Sequence, residues 1–389
     1  MTLLDDLDDV GRDPRSGGYR RHVWTAADAE LRAWFAQEAA RRGLELVEDT
    51  NGNQLAWWGA GPGAVLVGSH LDSVPDGGRF DGPLGVTSAF ESVDRLRSAG
   101  HVPHRPVVVA NFAEEEGSRF GIACLGSRLA TGALDPDRAR GLVDQDGTSL
   151  AEAMRAHGRD PRLLGRQSWI DEVAAFVELH VEQGRGLADL DAPVGVGSTI
   201  WPHGRWRLDL TGCANHAGTT RMQDRRDPMI TFASAVLAAQ REAGSSRATF
   251  GRVDVAPNGT NAIPARVRAW LDVRAETQEE VVVLVQAIVD AARRSAKAHG
   301  VDVAVDQESR SEAVVFDVPL RERLADLLGA PVLATAAGHD AGVLSAHLPA
   351  AMLFVRNETG VSHSPEEHAD AADCEAGVEA LTRVLRDLT

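Results

Sequence analysis

Residues able to bind a metal ion follow an apolar run in the stretch VGSHLDSVPDGGRFDGPLG, residues 67–85. His70 closes the run, Asp72 comes two positions later, and Asp81 stands just before a glycine. In an extended chain the side chains of His70 and Asp72 share a face, so the carboxylate could hold the second ring nitrogen of a metal-bound histidine. The structural alternative is that His70 only ends a strand and Asp81 caps the next helix.

Three adjacent glutamates, Glu114, Glu115 and Glu116, follow a second apolar run, VVVANFA. Neighbouring carboxylates repel one another, and folding alone gives no reason to place three together. A bound cation would explain them, whereas a solvated acidic turn is the alternative.

Two histidines complete the set of possible ligands. His180 lies in the apolar run VELHVEQG, and His363 lies in GVSHSPEEHAD, a loop after the run AMLFVR. Imidazole and carboxylate ligands without thiolate suit zinc, manganese or nickel. Five such ligands suit two ions bridged by a carboxylate and a water, and a spare glutamate beside a ligand glutamate suits a general base.

The surrounding pattern predicts the elements that would position these residues. Short apolar runs alternate with helical segments over 24–43 and 84–99, which is the βαβ rhythm of an open, mostly parallel sheet. Such sheets place ligands at the carboxyl ends of their strands, where His70 and the three glutamates fall. Residues 132–170 are polar and predict a surface excursion with one helical piece.

A change of rhythm predicts an inserted domain over residues 200–312. The order β-α-β-β-α-β in this region is that of a ferredoxin-like α+β sandwich. Alternating strands and helices resume over 313–389, so this part is expected to join residues 1–199 in one catalytic domain. We therefore expect an α/β catalytic domain, with a mostly parallel mixed sheet and helices on both faces, interrupted by a smaller domain.

Composition excludes several classes of protein. A net charge of −17 argues against a nucleic-acid partner, because no basic field displaces phosphate counterions. The apolar stretch over 281–292 is too short to span a membrane. The acidic N-terminus lacks the basic and apolar regions of a signal peptide, and three widely spaced cysteines fit a reducing compartment, so a cytoplasmic location is expected.

With these residues in view, the chain resembles the M20-type binuclear metal amidohydrolases, in the branch of N-carbamoyl-L-amino acid hydrolases and allantoate amidohydrolases. Other metallopeptidases of the wider family have an acid where His180 stands. The matching motifs run in order between residues 68 and 368: GSHLDSVPDGGRFDGPLGV, FAEEEGSRFG, ELHVEQG, NHAGTTRMQDRRDP, NGTNAIPARV, DVRA, AGHDA and GVSHSPEEH.

The resemblance implies two divalent ions per subunit, of zinc, manganese, nickel or cobalt. It implies that His70, Asp81 and His180 bind one ion. Asp81, as the bridging ligand, would bind the other together with Glu116 and His363.

The resemblance also implies the remaining roles. Glu115 would be the general base, and Asp72 would orient His70. The inserted domain would form a homodimer and act as a lid, with His216 reaching the partner subunit's site to polarise the scissile carbonyl. Asn261 and Arg274 would clamp the carboxylate of a small acid. Further substrate contacts would come from Gln183 and from the backbone of Gly338.

The implied activity is metal-dependent hydrolysis of a linear C–N amide (ureido) bond in allantoate or an N-carbamoyl-L-amino acid, through metal-activated water. An N-formyl or N-formimino amino acid hydrolase, a dipeptidase and a non-catalytic binding protein remain as alternatives. One departure is Arg356-Asn357, where many relatives have Pro-Ser. An extra cation at Arg356 would favour a substrate with a second acid group, unless Arg356 is a solvated loop residue.

Overall fold

The computed structural model describes residues 3–389. The helices are α1 (Ala26–Arg41), α2 (Pro83–Ser98), α3 (Leu125–Thr131), α4 (Pro136–Arg140), α5 (Leu150–Ala156), α6 (Gly186–Asp189), α7 (Pro228–Glu242), α8 (Gln278–His299), α9 (Val318–Leu328), α10 (Asp340–Leu344) and α11 (Ala371–Leu388). The strands are β1 (Glu45–Glu48), β2 (Gln54–Trp58), β3 (Ala64–His70), β4 (Val107–Phe112), β5 (Val173–Val181), β6 (Val194–Ile200), β7 (His203–Thr211), β8 (Asn215–His216), β9 (Arg247–Ala256), β10 (Ala262–Ile263), β11 (Arg266–Arg274), β12 (Asp302–Ser311), β13 (Val314–Val315), β14 (Val332–Thr335) and β15 (Ala350–Val355).

The chain divides into two compact units. One holds residues up to Thr199 together with Val315–Thr389, and the other holds Ile200–Val314. The larger unit contains a nine-stranded mixed sheet in the order β1-β2-β4-β3-β5-β15-β6-β13, with β14 paired to β6. Its central strands β4, β3, β5 and β15 run parallel, as the alternation of apolar runs and helices predicts.

The apolar runs become central strands because both of their faces are covered. Every residue of β3, β4 and β15 is buried, which suits continuous Val- and Ala-rich runs better than an alternating pattern. Valines of these strands share one core with apolar side chains of α1, α2 and α11. This packing fixes the strand ends that carry His70 and the glutamates.

The segment over 132–170 differs from the prediction of a single helical piece. It contains two short α-helices, α4 and α5, and their apolar side chains join α3, Val23 and Trp24 in a separate core. Both helices begin at side-chain caps, from Asp135 and from Ser149. A small apolar face of this kind is difficult to recognise in a polar sequence.

The smaller unit contains a four-stranded antiparallel sheet in the order β12-β7-β11-β9, with α7 and α8 packed against one face. In chain order its main elements are β7, α7, β9, β11, α8 and β12, which is the β-α-β-β-α-β order of a ferredoxin-like sandwich. A separate two-stranded pair, β8 with β10, carries His216 opposite Ala262. None of the described helices in either unit is long and apolar enough to cross a membrane.

Candidate metal centre

The first potential ligand, His70, lies at the carboxyl end of β3. Its ring packs against Gly82, a position that has no room for a side chain. Gly82 has φ +87°, and a Cβ placed on it would lie 2.4 Å from Cε1 of His70. Pro83 then opens α2, since a proline fits the first turn of a helix. Gly82 and Pro83 therefore bring Asp81 beside the imidazole.

The first group of side chains consists of His70, Asp81 and His180. Nε2 of His70 lies 3.5 Å from Oδ1 of Asp81, and Nε2 of His180 lies 3.2 Å from the same oxygen. The three possible ligand atoms all lie within 4.8 Å of one another, and all three residues are buried.

A second group, Asp81, Glu116 and His363, adjoins the first and shares Asp81 with it. Nε2 of His363 lies 3.5 Å from Oδ2 of Asp81 and 3.6 Å from Oε2 of Glu116. His363 has φ +56° and is half exposed, so this side of the centre is open. The two oxygens of Asp81 thus face different groups, as a bridging carboxylate requires.

Hydrogen bonding within the centre fits divalent cations. Nδ1 of His70 contacts the backbone oxygen of Asp72 at 3.0 Å, and Nδ1 of His180 contacts the backbone oxygen of Val181 at 2.8 Å. A proton on each Nδ1 leaves a lone pair on each Nε2. Among the described residues both Nε2 atoms, and Oε1 of Glu116, are buried without a hydrogen-bond partner. This donor set suits zinc, manganese, nickel or cobalt.

The electrostatics show how strongly the groups interact. Burial alone would raise the pKa of Asp81, but His180 and His70 hold it well below its usual range. Burial would likewise lower the pKa of His180, and Asp81 raises it to about 9. The buried carboxylate of Asp81 and the imidazoles of His70 and His180 therefore stabilise one another's charged forms. A bound cation would supply the positive charge that Asp81 needs.

Asp72 differs in detail from the expectation. Its carboxylate was predicted to hold a ring nitrogen of His70, but Oδ1 lies 3.6 Å from Nδ1, and the backbone oxygen makes the closer contact. The carboxylate instead accepts the backbone N–H groups of Glu115 at 3.0 Å and Glu116 at 3.1 Å. Asp72 thus orients the histidine through its backbone and the glutamate loop through its side chain.

The three glutamates point in different directions. Glu114 has φ +54°, and its carboxylate accepts the backbone N–H groups of Arg119 and Phe120, so it shapes the loop. Oε2 of Glu115 lies 3.7 Å from Nε2 of His70, and burial raises the pKa of Glu115 to about 7. Glu115 belongs to neither group of possible ligands, which leaves its carboxyl group beside the centre.

Several contacts of the centre were not predicted from the sequence. The Cys124 thiol donates to Oε1 of Glu115 at 3.2 Å, and Oε1 of Glu367 accepts the backbone N–H groups of Phe80 and Asp81. Gln183, expected to contact substrate, donates to Oδ2 of Asp81 at 2.6 Å. Glu367 falls within the motif that carries His363, but no spacing rule singles it out.

In the smaller unit, His216 is exposed and has a defined tautomer. Its Nδ1 accepts the backbone N–H groups of Gly218 at 3.0 Å and Thr219 at 3.2 Å. The ring proton therefore belongs on Nε2, which points away from these bonds and can donate to a ligand. The N–H of Ala217 donates to the backbone oxygen of Asn261, so Asn261 lies beside His216.

Asn261 and Arg274 are not neighbours, contrary to the expected clamp. Arg266 and Arg274 are the two ends of β11, about 26 Å apart at the usual rise of a strand. Asn261 and His216 belong to the Arg266 end, because β10 directly precedes it. Within one chain, Arg274 therefore cannot share a small carboxylate with Asn261 or His216.

Gly338 and its neighbours lie next to the first group of ligands. Gly338 is exposed between β14 and α10, and His339 after it is buried with its ring 4.6 Å from that of His180. The backbone of Gly338 is thus accessible near the centre.

Arg356 is occupied by structural ion pairs. Its guanidinium makes two contacts with the buried Asp373 near the start of α11, at 2.7 and 3.0 Å, and one with Asp191 at 3.2 Å. Arg356 is thus neither a solvated loop residue nor an additional cation for a substrate.

We expect Arg356→Ala to lower the free energy of unfolding by about 1–3 kcal/mol, because the buried carboxylate of Asp373 loses its charged partner. Denaturant unfolding measures this change, and Arg386→Ala, an exposed position on α11, is the matched control. Since Arg356 is already paired, the preference for mono-acid over di-acid substrates should stay unchanged. A change in that preference with no loss of stability would contradict the structural role.

Comparison with known proteins identifies the family of the chain. The family described as Peptidase family M20/M25/M40 matches residues 66–387. An N-carbamoyl-L-amino acid amidohydrolase of Geobacillus stearothermophilus is 39% identical over 99% of this chain and 97% of the relative. An allantoate amidohydrolase of Escherichia coli is 32% identical over 98% of this chain and 95% of the relative. The crystal structure of an amidase of the hydantoinase/carbamoylase family from Burkholderia multivorans superposes with a TM-score of 0.87 at 30% identity, covering 99% of this chain and 96% of that one.

Proposed function

The chain belongs to peptidase family M20/M25/M40 and is a hydrolase of amide bonds, and from this premise we propose that it is a dimetal enzyme that cleaves the linear ureido bond of a small acid. N-carbamoyl-L-amino acids are the leading substrate class, because the relative named for them is more similar than the one named for allantoate. Allantoate is the second candidate.

One observation carries this proposal: two groups of possible ligand residues share the buried Asp81, and the carboxyl group of Glu115 lies beside them without belonging to either. A non-catalytic binding protein has no use for that additional carboxyl group. Its pKa of about 7 suits a group that accepts and returns a proton near neutral pH.

In the proposed mechanism His70, Asp81 and His180 would hold one ion, and Asp81, Glu116 and His363 would hold the other. When bound, the two ions supply Lewis acidity that polarises the carbonyl and makes a water nucleophilic near neutral pH. Glu115 accepts the proton of the attacking water and delivers it to the leaving nitrogen. An N-carbamoyl-L-amino acid then yields the free amino acid, ammonia and carbon dioxide.

The remaining roles belong to the smaller unit. Nε2–H of His216 stabilises the negative charge that develops on the carbonyl oxygen, and Arg274 binds the substrate carboxylate through its guanidinium. These groups lie at opposite ends of β11, too far apart for one small substrate. We therefore propose a homodimer in which His216 and Asn261 of one protomer and Arg274 of the other serve the same site.

A cytoplasmic location is part of the proposal. Cys124, Cys213 and Cys374 are all free, which is the usual state of cysteines in a reducing compartment.

The test is a substrate panel assayed with metal-loaded protein: allantoate, N-carbamoyl-L-amino acids, N-formyl amino acids and dipeptides. Ammonia and free α-amine are measured separately. Cleavage of a ureido bond releases ammonia together with a free α-amine, which is the amino acid from an N-carbamoyl-L-amino acid and ureidoglycine from allantoate. The last two substrates release amine without ammonia. Turnover confined to the N-formyl compounds or the dipeptides would overturn the ureido assignment.

Metal content gives a prediction independent of the substrate. We expect two divalent ions per chain by elemental analysis, both lost in Asp81→Ala because this residue serves both groups. His363→Ala should keep one ion, since the buried first group is intact. The control is His347→Ala, an exposed histidine outside both groups. Equal metal loss from Asp81→Ala and His363→Ala would contradict a bridging Asp81.

A further inference from the structure

A cavity of about 590 Å³ lies within the larger unit, between the N-terminal residues 4–19, α2 and α11. Its volume is within the range of small-molecule pockets. Its lining contains none of the five proposed metal ligands, although Glu367 in its wall also holds the backbone of Asp81. Nothing in the mechanism uses it.

Apart from Oδ1 of Asp8 and Nε of Arg79, which form an ion pair with each other, two buried polar atoms of the cavity wall have no hydrogen-bond partner among the described residues. They are Oγ of Ser88, in a residue that is 1% exposed, and Oε2 of Glu367, in a residue that is 5% exposed. A buried polar atom without a partner costs free energy, and native proteins leave few of them. A ligand that donates hydrogen bonds would satisfy both.

The charges of the wall favour a positive ligand. Five carboxyl side chains line the cavity against two guanidinium groups. Asp5 and Asp8 pair with Arg79, and Glu375 pairs with Arg95, which leaves Glu91 and Glu367 against Arg12. The guanidinium of Arg79 is already paired with Asp5 and Asp8, and Nε of Arg12 donates to the backbone oxygen of Gly17. Arg79 is therefore neutralised by its carboxylate partners, whereas a buried oxygen of Glu367 has no hydrogen-bond partner among the described residues.

The rest of the wall is apolar. It includes Leu4, Phe80, Leu84 and Val378. An aliphatic or aromatic body would remove this apolar surface from water, which favours its binding. The lining thus combines an apolar wall with buried acceptors.

From these observations we propose that the cavity is a second ligand site that binds a small organic ammonium ion with an apolar body. The ammonium group donates to Oε2 of Glu367 and Oγ of Ser88, and the body packs against the apolar wall. The inference does not depend on the proposed hydrolytic function.

The test is calorimetric titration of the metal-loaded protein with 2-phenylethylammonium. We expect one site per chain. The neutral 2-phenylethanol and the anionic 3-phenylpropionate share the body but not the charge, and each should bind at least about tenfold more weakly, as expected for loss of a charged hydrogen bond. Equal affinity for the ammonium and the alcohol would overturn the assignment.

Variants then locate the bound probe. Ser88→Leu fills the cavity from α2 and Val378→Phe fills it from α11, and each should abolish binding while leaving turnover unchanged. Ser98→Leu, the same change at an exposed position of α2, is the matched control and should bind normally. Glu367 stays intact because its Oε1 holds the backbone of Asp81. Binding that survives in a folded filled variant places the probe elsewhere and overturns the proposal, even if only one of the two variants folds.

Discussion

Glu115→Gln is expected to lower kcat by about 10²–10⁴-fold, the usual effect of removing a general base, while the protein keeps both ions. Glutamine has nearly the same shape but cannot accept the proton of the attacking water. Glu115 belongs to neither group of possible ligands, so its loss should leave the metal content unchanged. Steady-state kinetics and elemental analysis on one preparation measure both effects.

The adjacent residue provides the control. Glu114→Gln makes the same change one position away, and its side-chain oxygen can still accept the N–H groups of Arg119 and Phe120. We expect a far smaller loss of kcat from this variant. If Glu115→Gln instead loses an ion, Glu115 is a ligand and the proposed roles of Glu115 and Glu116 are exchanged.

The possible metal ligands could be predicted from the sequence because strand ends are local features. A continuous apolar run predicts a central parallel strand, and the residue types that follow it fall at one edge of the sheet. His70, Glu116 and His180 come together for this reason. His363 joins them because its loop follows β15, which pairs in parallel with β5 and so ends at the same edge of the sheet.

Other contacts of the site depend on features that spacing does not encode. Whether the carboxylate of Asp72 turns to His70 or to the glutamate loop depends on the backbone of both loops. Cys124 reaches Glu115 from a left-handed backbone, with φ +54°, that a cysteine rarely adopts. Glu367 holds Asp81 across 286 residues of sequence. Only the folded chain shows these contacts.

The expected clamp of Asn261 and Arg274 shows most clearly what cannot be predicted from the sequence. Both residues fall within the predicted inserted domain, and this placement is compatible with contact between them. They lie at opposite ends of β11, a strand about 26 Å long at the usual rise, because β10 next to Asn261 precedes the Arg266 end. The sequence contains no signal for which end of a strand meets the substrate, because that depends on assembly.

Activity should reappear when two inactive variants, His216→Ala and Glu115→Gln, are mixed and their subunits exchange. Removing one donor to the developing oxyanion costs about 10²–10³-fold in kcat, so His216→Ala alone should be nearly inactive. His216 lies at the opposite end of β11 from Arg274, so these two groups meet the same substrate only if they come from different protomers. A two-fold dimer makes the exchange reciprocal.

In the mixed dimer the chain with intact Glu115 receives His216 from its partner, and the other site lacks both groups. Random exchange of equal amounts makes about half of the dimers mixed, with one active site in two, so about a quarter of wild-type activity should return. The control mixes wild type with the double variant Glu115→Gln/His216→Ala. If His216 acts across the interface, this mixture retains about a quarter of wild-type activity, and if it acts within its own chain, about half. Mass spectrometry shows whether mixed dimers form. If they form and the first mixture stays inactive while the control retains half of the activity, His216 acts within its own subunit.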